Sequence, residues 1–501
     1  MPVTSSTTHG ATSVETVDVV VIGAGVSGIC SAIRLAERGV DDVVVLEKDG
    51  AIGGTWRLNT YPGCACDVPS AAYSFSFFPN HRWSRSFAGQ AEILAYLERA
   101  VEHYGVQDRV RLGVEVQGAR WEPDLARWRV TTNRGELLAR SVLASAGPWN
   151  EPRIPQIPGL EDFDGPVFHS SRWDHGVDLT DRRVAVVGSG ASAVQFVPQI
   201  APVARQVDLF QRTPQWVLPK RDPLRSERTM RASARFPLRH TLERASAVAT
   251  LEIAALAFRT GYGQRFLRAL ATRNIRAGVE DPELERVLTP TWAVGCKRLL
   301  MSNDYYPALG RDDVAVHPTG LAHVRGNLLV GDDGTEVEAD VVILGTGFLN
   351  HEWPLADRIT VGGQSLAEHW DGTPRAYLGT SVAGFPNLYL LLGPNTGASA
   401  SAFMIVERQL DLIQEAIAQP ATARGGLSVK PSVQRRYNDD LQAKLSSSVF
   451  NTGGCESYHF DRNGVNSYSW PWSARRLHSI TFDPDAYEET SVPALADRPR
   501  T

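Results

Sequence analysis

The chain has 501 residues, 43% of them hydrophobic and 21% charged, with a formal net charge of −5; it is too long for one ordinary core, and about two to four domains are expected. The mild acidity gives no support to a nucleic-acid or anionic-membrane partner. No stretch reads as a membrane span: the best candidate, ASAVATLEIAALAF at 245–258, is 14 residues long, carries Glu252 and reads as a buried helix.

Residues 1–16 are polar, lack the apolar segment of a signal peptide and read as a loose tail. From Val17 the β-branched run Val19, Val20, Val21 and Ile22 predicts a buried strand. It leads into Gly23-x-Gly25-x-x-Gly28, after which Ile29, Ala32, Ile33 and Ala36 share one helical face. A second strand, VVVLEK, carries Glu47, 19 residues after Gly28. Glycines let the backbone approach a pyrophosphate, the helix N-terminus stabilises its charge, and Glu47 can accept from a ribose 2′-OH. Strand, turn, helix and acid stand in register, which a chance glycine turn does not produce.

Further on, SVLASAG (141–147) reads as a return strand, and the dinucleotide unit then recurs at 183–213. Here a Val-rich strand precedes Gly188, Ser189, Gly190, Ala191 and Ser192, with Ala193 in the place of the third glycine. Nineteen residues beyond Ala193 stands Arg212 instead of an acid. An arginine there pairs with a 2′-phosphate, unless it is a solvated surface charge. The first site therefore suits an unphosphorylated adenosine ribose and the second NADP(H). Two such sites in one chain usually mean a bound flavin and a docking nicotinamide.

Between 221 and 290 the strand pattern gives way to an Arg- and Ala-rich helical insertion. ADVVILGTGF (339–348) is another return strand, and NLYLLLGPNTG (387–397) a closing strand before a helix striped by Val406, Leu410, Ile413 and Ile417. The expected fold class is α/β, with two nested Rossmann-like dinucleotide-binding domains, for FAD and NADP, and a helical insertion. The expected segments are a tail at 1–16, the FAD domain at 17–150 and 380–501, the NADP domain at 151–220 and 291–379, and the insertion at 221–290. Five cysteines (Cys30, Cys64, Cys66, Cys296 and Cys455) form neither a disulfide framework nor a zinc pattern. All five are expected as reduced thiols in a cytoplasmic protein. The single residue between Cys64 and Cys66 argues against electron transfer to a dithiol, which leaves oxygen as the common acceptor.

The stretch FDGPVFHSSRWD (163–174) fits F-x-G-x-x-x-H-x-x-x-W-[P/D] through Phe163, Gly165, His169, Trp173 and Asp174. It resembles the fingerprint of type I Baeyer–Villiger monooxygenases; related N- and S-oxygenases usually carry Phe or Tyr in place of Trp173. A second family pattern is met by GGTWRLNTYPGCACD (53–67), through Gly54, Trp56, Tyr61, Pro62, Gly63 and Asp67. The resemblance runs from Val17 to about Trp472 and includes CKRLLMSNDYY (296–306) and GGCESYHFDRNGVNSYSWPW (453–472). It departs at Ala146-Gly147, where relatives often have Thr-Gly, and in the small-residue turn LLGPNTGASASAF.

The resemblance implies FAD and NADPH as cofactors, O2 and a ketone (or a sulfide) as substrates, and an ester or lactone formed through a C4a-peroxyflavin. It implies that Arg298 supplies the fixed cation such chemistry needs and that Asp67 orients it; an arginine stays charged at any working pH. Lys297 would join Arg212 and Thr213 around the 2′-phosphate, and Gly54, Thr55, Trp56 and Tyr73 would contact the flavin. On residue chemistry alone, Arg298 also reads as an ion-pair arginine, Asp67 as a turn cap and Tyr73 as core. Trp470 reads as a wall of the substrate pocket or as C-terminal core. His169 titrates near neutrality and so offers a proton role, but its place between the two units favours interdomain positioning. A monomer or homodimer with no nucleic-acid partner and no membrane span is expected. The alternatives are a flavoprotein N- or S-oxygenase, disfavoured by Trp173, and a non-catalytic flavoprotein, disfavoured by Asp67, Lys297 and Arg298.

Overall fold

A computed structural model describes residues 14–258, 260–353, 355–397 and 400–490; most of the expected tail (1–13) and the last residues of the chain (491–501) lie outside them. The Val-rich strand Glu15–Ile22 lies at the centre of a nine-stranded sheet, parallel to Val43–Glu47 on one side and Gly135–Ala144 on the other. Val19, Val20 and Val21 are wholly buried, as near-continuous apolar runs of parallel sheets are. Leu388–Leu390 adds to Gly135–Ala144 in parallel, and Arg127–Thr132 pairs with it in antiparallel. Helices Val26–Glu37 and Ala402–Ile417 pack together, and Val406, Leu410 and Ile413 of the second are wholly buried.

A second sheet is parallel throughout, with Arg183–Val187 between Gln206–Phe210 and Val341–Leu344. Val314–His317 and Val167–His169 form its edges. The two sheets repeat one motif, a central strand that leads through a glycine turn into a helix: the fold is two nested Rossmann-like units. Residues 227–288 form the helices Glu227–Arg235, Pro237–Ala257, Gly261–Gly278 and Pro282–Leu288.

Three features differ from the sequence reading. The chain rejoins the first sheet before residue 380: Ile359–Val361 pairs with Val116–Glu122, and Gln364–Ser365 pairs with Ile359–Val361. These strands are too short to announce themselves by periodicity. The 245–258 stretch is not a buried helix; only Ala247 and Ala255 in it are buried, because one side rests on the protein and the other faces solvent. Cys296 and Cys455 are joined in a disulfide, so the expectation of five free thiols is overturned. The partners are 159 residues apart, and no local spacing could have paired them. Among the described residues, no helix is long and apolar enough to cross a membrane.

Candidate active site

One cavity of about 1200 Å³ runs along the ends of both central strands. That exceeds the roughly 300–1,000 Å³ of a single small-ligand site, so there is room for more than one ligand. Two glycine turns open onto it. Gly23 and Gly188 have φ of +101° and +103°, and a Cβ on either would lie 2.9 Å from the Ser145 carbonyl oxygen or 2.5 Å from that of Gly345. Only glycine lets the chain turn at those two points. The helices that follow start from Gly25 and Gly190, without a side-chain cap and without an acidic residue in the first turn. Their leading N–H groups and positive dipole ends are left for an anion, as a dinucleotide pyrophosphate requires.

The residues expected around each cofactor gather at these turns. Gly25, Glu47, Gly54, Thr55, Trp56 and Tyr73 line the cavity on the first side. Glu47 is buried, and its carboxylate accepts from the Ala24 and Asp49 amides, which hold it at the strand end. Tyr73 accepts a 3.1 Å hydrogen bond from Trp56 and packs edge-on against it. On the second side Ser189, Gly190, Ala191, Ser192, Arg212 and Thr213 line the cavity. Lys297 donates to the Thr213 hydroxyl at 3.0 Å and lies over the Trp292 ring. Burial, and then Arg212, push the Lys297 pKa down. Glu456 offsets part of the charge on Lys297 but is not ion-paired with it, and the pair Arg212 and Lys297 is suited to a phosphate.

Between the two turns, Arg298 forms a fork with Asp67: Nε donates to one carboxylate oxygen at 2.9 Å and Nη2 to the other at 2.6 Å. The third nitrogen, Nη1, has no protein acceptor among the described residues. The Arg298 side chain keeps 37% of its surface exposed, against 14% for Asp67, and both residues line the cavity. Trp149 lies under the guanidinium with its ring centre 5.2 Å away. Burial would lower the pKa of Arg298, but Asp67 and then Tyr458 raise it, leaving it well above the usual arginine range. The arrangement offers a permanent, oriented cation to negative charge developing in the cavity.

Around this fork lie residues that the sequence reading missed. Tyr458 and Tyr468 pack edge to face, and His459 stacks on Tyr468 with the rings 3° from parallel. Burial lowers His459 to about 3, so it is a neutral imidazole. His351 holds this loop by accepting from or donating to Ser467 at 3.1 Å and donating to the Tyr458 carbonyl at 2.5 Å. Gln195, in the helix after the second glycine turn, ties the two units together. Its Oε1 accepts from the Tyr61 hydroxyl at 2.9 Å and the Ala65 amide at 3.3 Å, and its Nε2 donates to the Ala65 carbonyl at 2.9 Å. Tyr458 and His459 lie in a stretch quoted for its resemblance, and their density of rings after Gly453-Gly454 was the available signal.

Not every expected site residue reaches the cavity. Phe163, Gly165, His169 and Trp173 do not line it. Their segment supplies the edge strand Val167–His169 of the second sheet, so it is not a bare connection. His169 is buried, its Nδ1 accepts from the Ser171 amide, and burial lowers it to about 4. The ring is therefore neutral and stands behind the cavity wall, 5.7 Å centre to centre from the lining residue Phe348. Trp173 packs on Phe196, which in turn meets Tyr61 of the first unit. Trp470 also stays off the cavity: it packs with Ile405, Leu477 and Trp472, because the chain turns away after Tyr468. Cys66 is a buried thiol with its pKa raised, and burial pushes Cys64 up to about 12, so neither is a ready nucleophile. The Cys296–Cys455 bond fastens the loop carrying Lys297 and Arg298 to the loop carrying Tyr458.

Residues 20–231 match the pyridine nucleotide-disulphide oxidoreductase family. A relative from Streptomyces coelicolor named Baeyer-Villiger monooxygenase is 43% identical over 479 residues, which cover 95% of this chain and 92% of that one. Among solved structures, an oxidised steroid monooxygenase bound to NADP superposes with a TM-score of 0.81 at 29% identity, over 92% of this chain and 96% of that one. The structure of OTEMO in complex with FAD and NADP gives a TM-score of 0.81 at 26% identity, over 94% of this chain and 99% of that one.

Proposed function

The chain belongs to the Baeyer–Villiger monooxygenases, and on that premise we propose that Arg298, oriented by Asp67, is the group that assists oxygen transfer. The enzyme is a flavin monooxygenase that uses FAD, NADPH and O2. The net reaction takes a ketone, O2, NADPH and a proton to an ester or lactone, water and NADP+. FAD fits the first glycine turn, whose uncapped helix end and buried Glu47 meet its pyrophosphate and ribose. NADPH would occupy the second, where Arg212, Thr213 and Lys297 would hold its 2′-phosphate. When bound and reduced, the flavin supplies the O2-derived oxygen that enters beside the carbonyl carbon.

The chain's own residues do the rest. Arg298 directs its unpaired Nη1 at negative charge that grows during transfer, and Asp67 fixes the plane of the guanidinium through two parallel bonds. Trp149, Tyr458, Tyr468 and the neutral His459 surround that charge with rings in place of water, which strengthens the attraction. Gln195 holds the 61–65 loop, and with it Asp67, against the nicotinamide unit.

The observation that carries this reading is the Arg298–Asp67 fork facing the cavity between two dinucleotide cradles. Its test is product analysis under 18O2 with NADPH and a panel of cyclic, linear and aryl ketones, alkyl sulfides and tertiary amines. The expected product is an ester or lactone carrying one 18O atom. Label in amines or sulfides alone, with every ketone returned unchanged, overturns the reading.

A further inference from the structure

The helical insertion carries a surface at odds with the rest of the chain. Between residues 223 and 278 there are eleven arginines and three acidic residues, a net +8 in a chain whose formal charge is −5. The three acids are already engaged: Glu227 pairs with Arg231, Glu243 with Arg225 and Arg239, and Glu252 accepts from the Arg475 amide. Among the described residues no ion pair reaches Arg228, Arg235, Arg265, Arg268 or Arg273, and all five are exposed. Arg265 only lies over the ring of Tyr262.

Amid this charge runs an apolar stripe. On the helix Pro237–Ala257, Leu238, Leu242, Ala245, Ala249, Ile253 and Leu256 are all exposed. At 3.6 residues per turn they fall within about 80° of arc and extend along about 27 Å of helix. Leu238, Leu242, Ile253 and Leu256 are 71%, 62%, 66% and 60% exposed, and on the adjoining helix Gly261–Gly278 Tyr262 and Phe266 reach 82% and 67%. Eight of the large hydrophobic side chains exposed in this chain stand between Leu224 and Phe266. Soluble surfaces scatter such residues singly, and a contiguous stripe marks a docking face.

We infer that this face docks on an anionic lipid surface. The combination of an apolar stripe with flanking unpaired arginines is what the headgroup boundary of an anionic leaflet attracts: apolar side chains enter the acyl edge while guanidinium groups meet phosphates. A second copy of the chain is the poorer occupant, since it would bring one +8 surface against another. The inner side of the same helix contributes Leu251, Ala254 and Ala255 to the cavity wall, and Phe258 follows at its C-terminal end. Docking therefore sets the cavity wall one helix thickness from the lipid, where an apolar substrate is concentrated. Docking itself does not depend on which substrate is turned over.

The test is flotation of the FAD-loaded full chain with vesicles of phosphatidylcholine alone and of phosphatidylcholine with 30% phosphatidylglycerol, at 0.05 and 0.5 M salt. The variant Leu238→Gln/Leu242→Gln/Ile253→Gln, altered only at exposed positions, is run beside it, with thermal stability and NADPH turnover in vesicle-free buffer as controls of folding. Expected are binding to the anionic vesicles at low salt and an at least tenfold weaker partition at high salt, as screening shortens the reach of the arginines. At least tenfold weaker partition is also expected on neutral vesicles and for the variant. Absence of binding to anionic vesicles, or equal binding by the variant, overturns the proposal. So does a homodimer in light scattering that the triple substitution dissociates, which would assign the stripe to a second copy.

Discussion

Replacing Arg298 by alanine separates the two halves of the reaction. The substitution removes a cation whose Nε and Nη2 make bonds of 2.9 and 2.6 Å to Asp67, and it leaves a carboxylate that is 14% exposed without its partner. Breaking a fully buried pair costs about 3–5 kcal/mol. The Arg298 side chain is 37% exposed to the cavity, so solvent screens the pair and a stability loss of about 2 kcal/mol is expected. The catalytic loss is larger: one fixed donor facing developing negative charge is worth about 10²–10³ in rate. If Arg298 serves oxygen transfer alone, NADPH oxidation should persist and the oxygen should be lost as hydrogen peroxide. The assay records ester formation, NADPH consumption and peroxide release in parallel. Arg298→Lys keeps the charge but not the two parallel bonds and should fall between the parent and the alanine variant. In a double-mutant cycle, Asp67→Ala should cost little once Arg298 is gone, because Asp67 acts through it. Ester formation within threefold of the parent, or ester formation and NADPH oxidation lost to the same extent, refutes the assignment.

If Lys297 and Arg212 hold the 2′-phosphate as proposed, Lys297→Ala and Arg212→Ala should each raise KM for NADPH about tenfold or more with little change for NADH; steady-state kinetics with both nucleotides decides. Gln195→Ala cuts three hydrogen bonds between the units and should lower kcat about tenfold while leaving FAD content and KM for NADPH near parent values. His169 is lowered to about 4 in the fold, against about 6.5 unfolded, so the folded state binds fewer protons between those values. Its contribution is whole above pH 6.5 and is lost as pH falls to 4; it is worth at most about 3 kcal/mol. Thermal melts from pH 8 to 4 should therefore fall less steeply for His169→Phe. Denatured without reductant, the chain should titrate as three thiols, and as five after reduction.

The parts of this molecule that could be read from the chain are those whose geometry is local. A β-branched run, a glycine turn and an amphipathic helix within thirty residues impose one backbone path, and both dinucleotide units form where that pattern stands. Arg298 and Asp67 are 231 residues apart, and only resemblance to a family named them together. The disulfide had no local signal for the same reason. At His169 and Trp470 residue type left two readings open, positioning or a proton role for the first and core or pocket wall for the second, and the side chains pack at the edge of the second sheet and in the C-terminal core. Periodicity misled at 245–258, because a helix with two apolar sides looks like a buried one until the structure exposes one of them. Whole-chain charge also averages that basic segment with an acidic remainder, so it does not show the local excess of arginine.

Lys297 and Arg298 are adjacent in sequence, yet their side chains reach different partners in the cavity. Lys297 reaches Thr213 beside the second glycine turn, and Arg298 reaches Asp67 beside the first. The two side chains leave a turn just before the strand Leu300–Met301 and diverge to Thr213 and Asp67, so a single short stretch of backbone reaches both partners. If the 2′-phosphate engages Lys297 as proposed, a shift of that stretch would carry the Arg298 guanidinium with it. The stretch is held from behind by Cys296 bonded to Cys455, and the Ala293 amide donates to the Gly453 carbonyl. Tyr458 and His459 follow within a few residues of Cys455, so the Cys296–Cys455 bond ties the aromatic wall to the stretch carrying Lys297 and Arg298. On this account nucleotide binding positions Arg298 as well as supplying the hydride. Lys297→Ala should then lower the share of NADPH that ends in ester at saturating nucleotide, a coupling loss that a simple affinity defect does not produce.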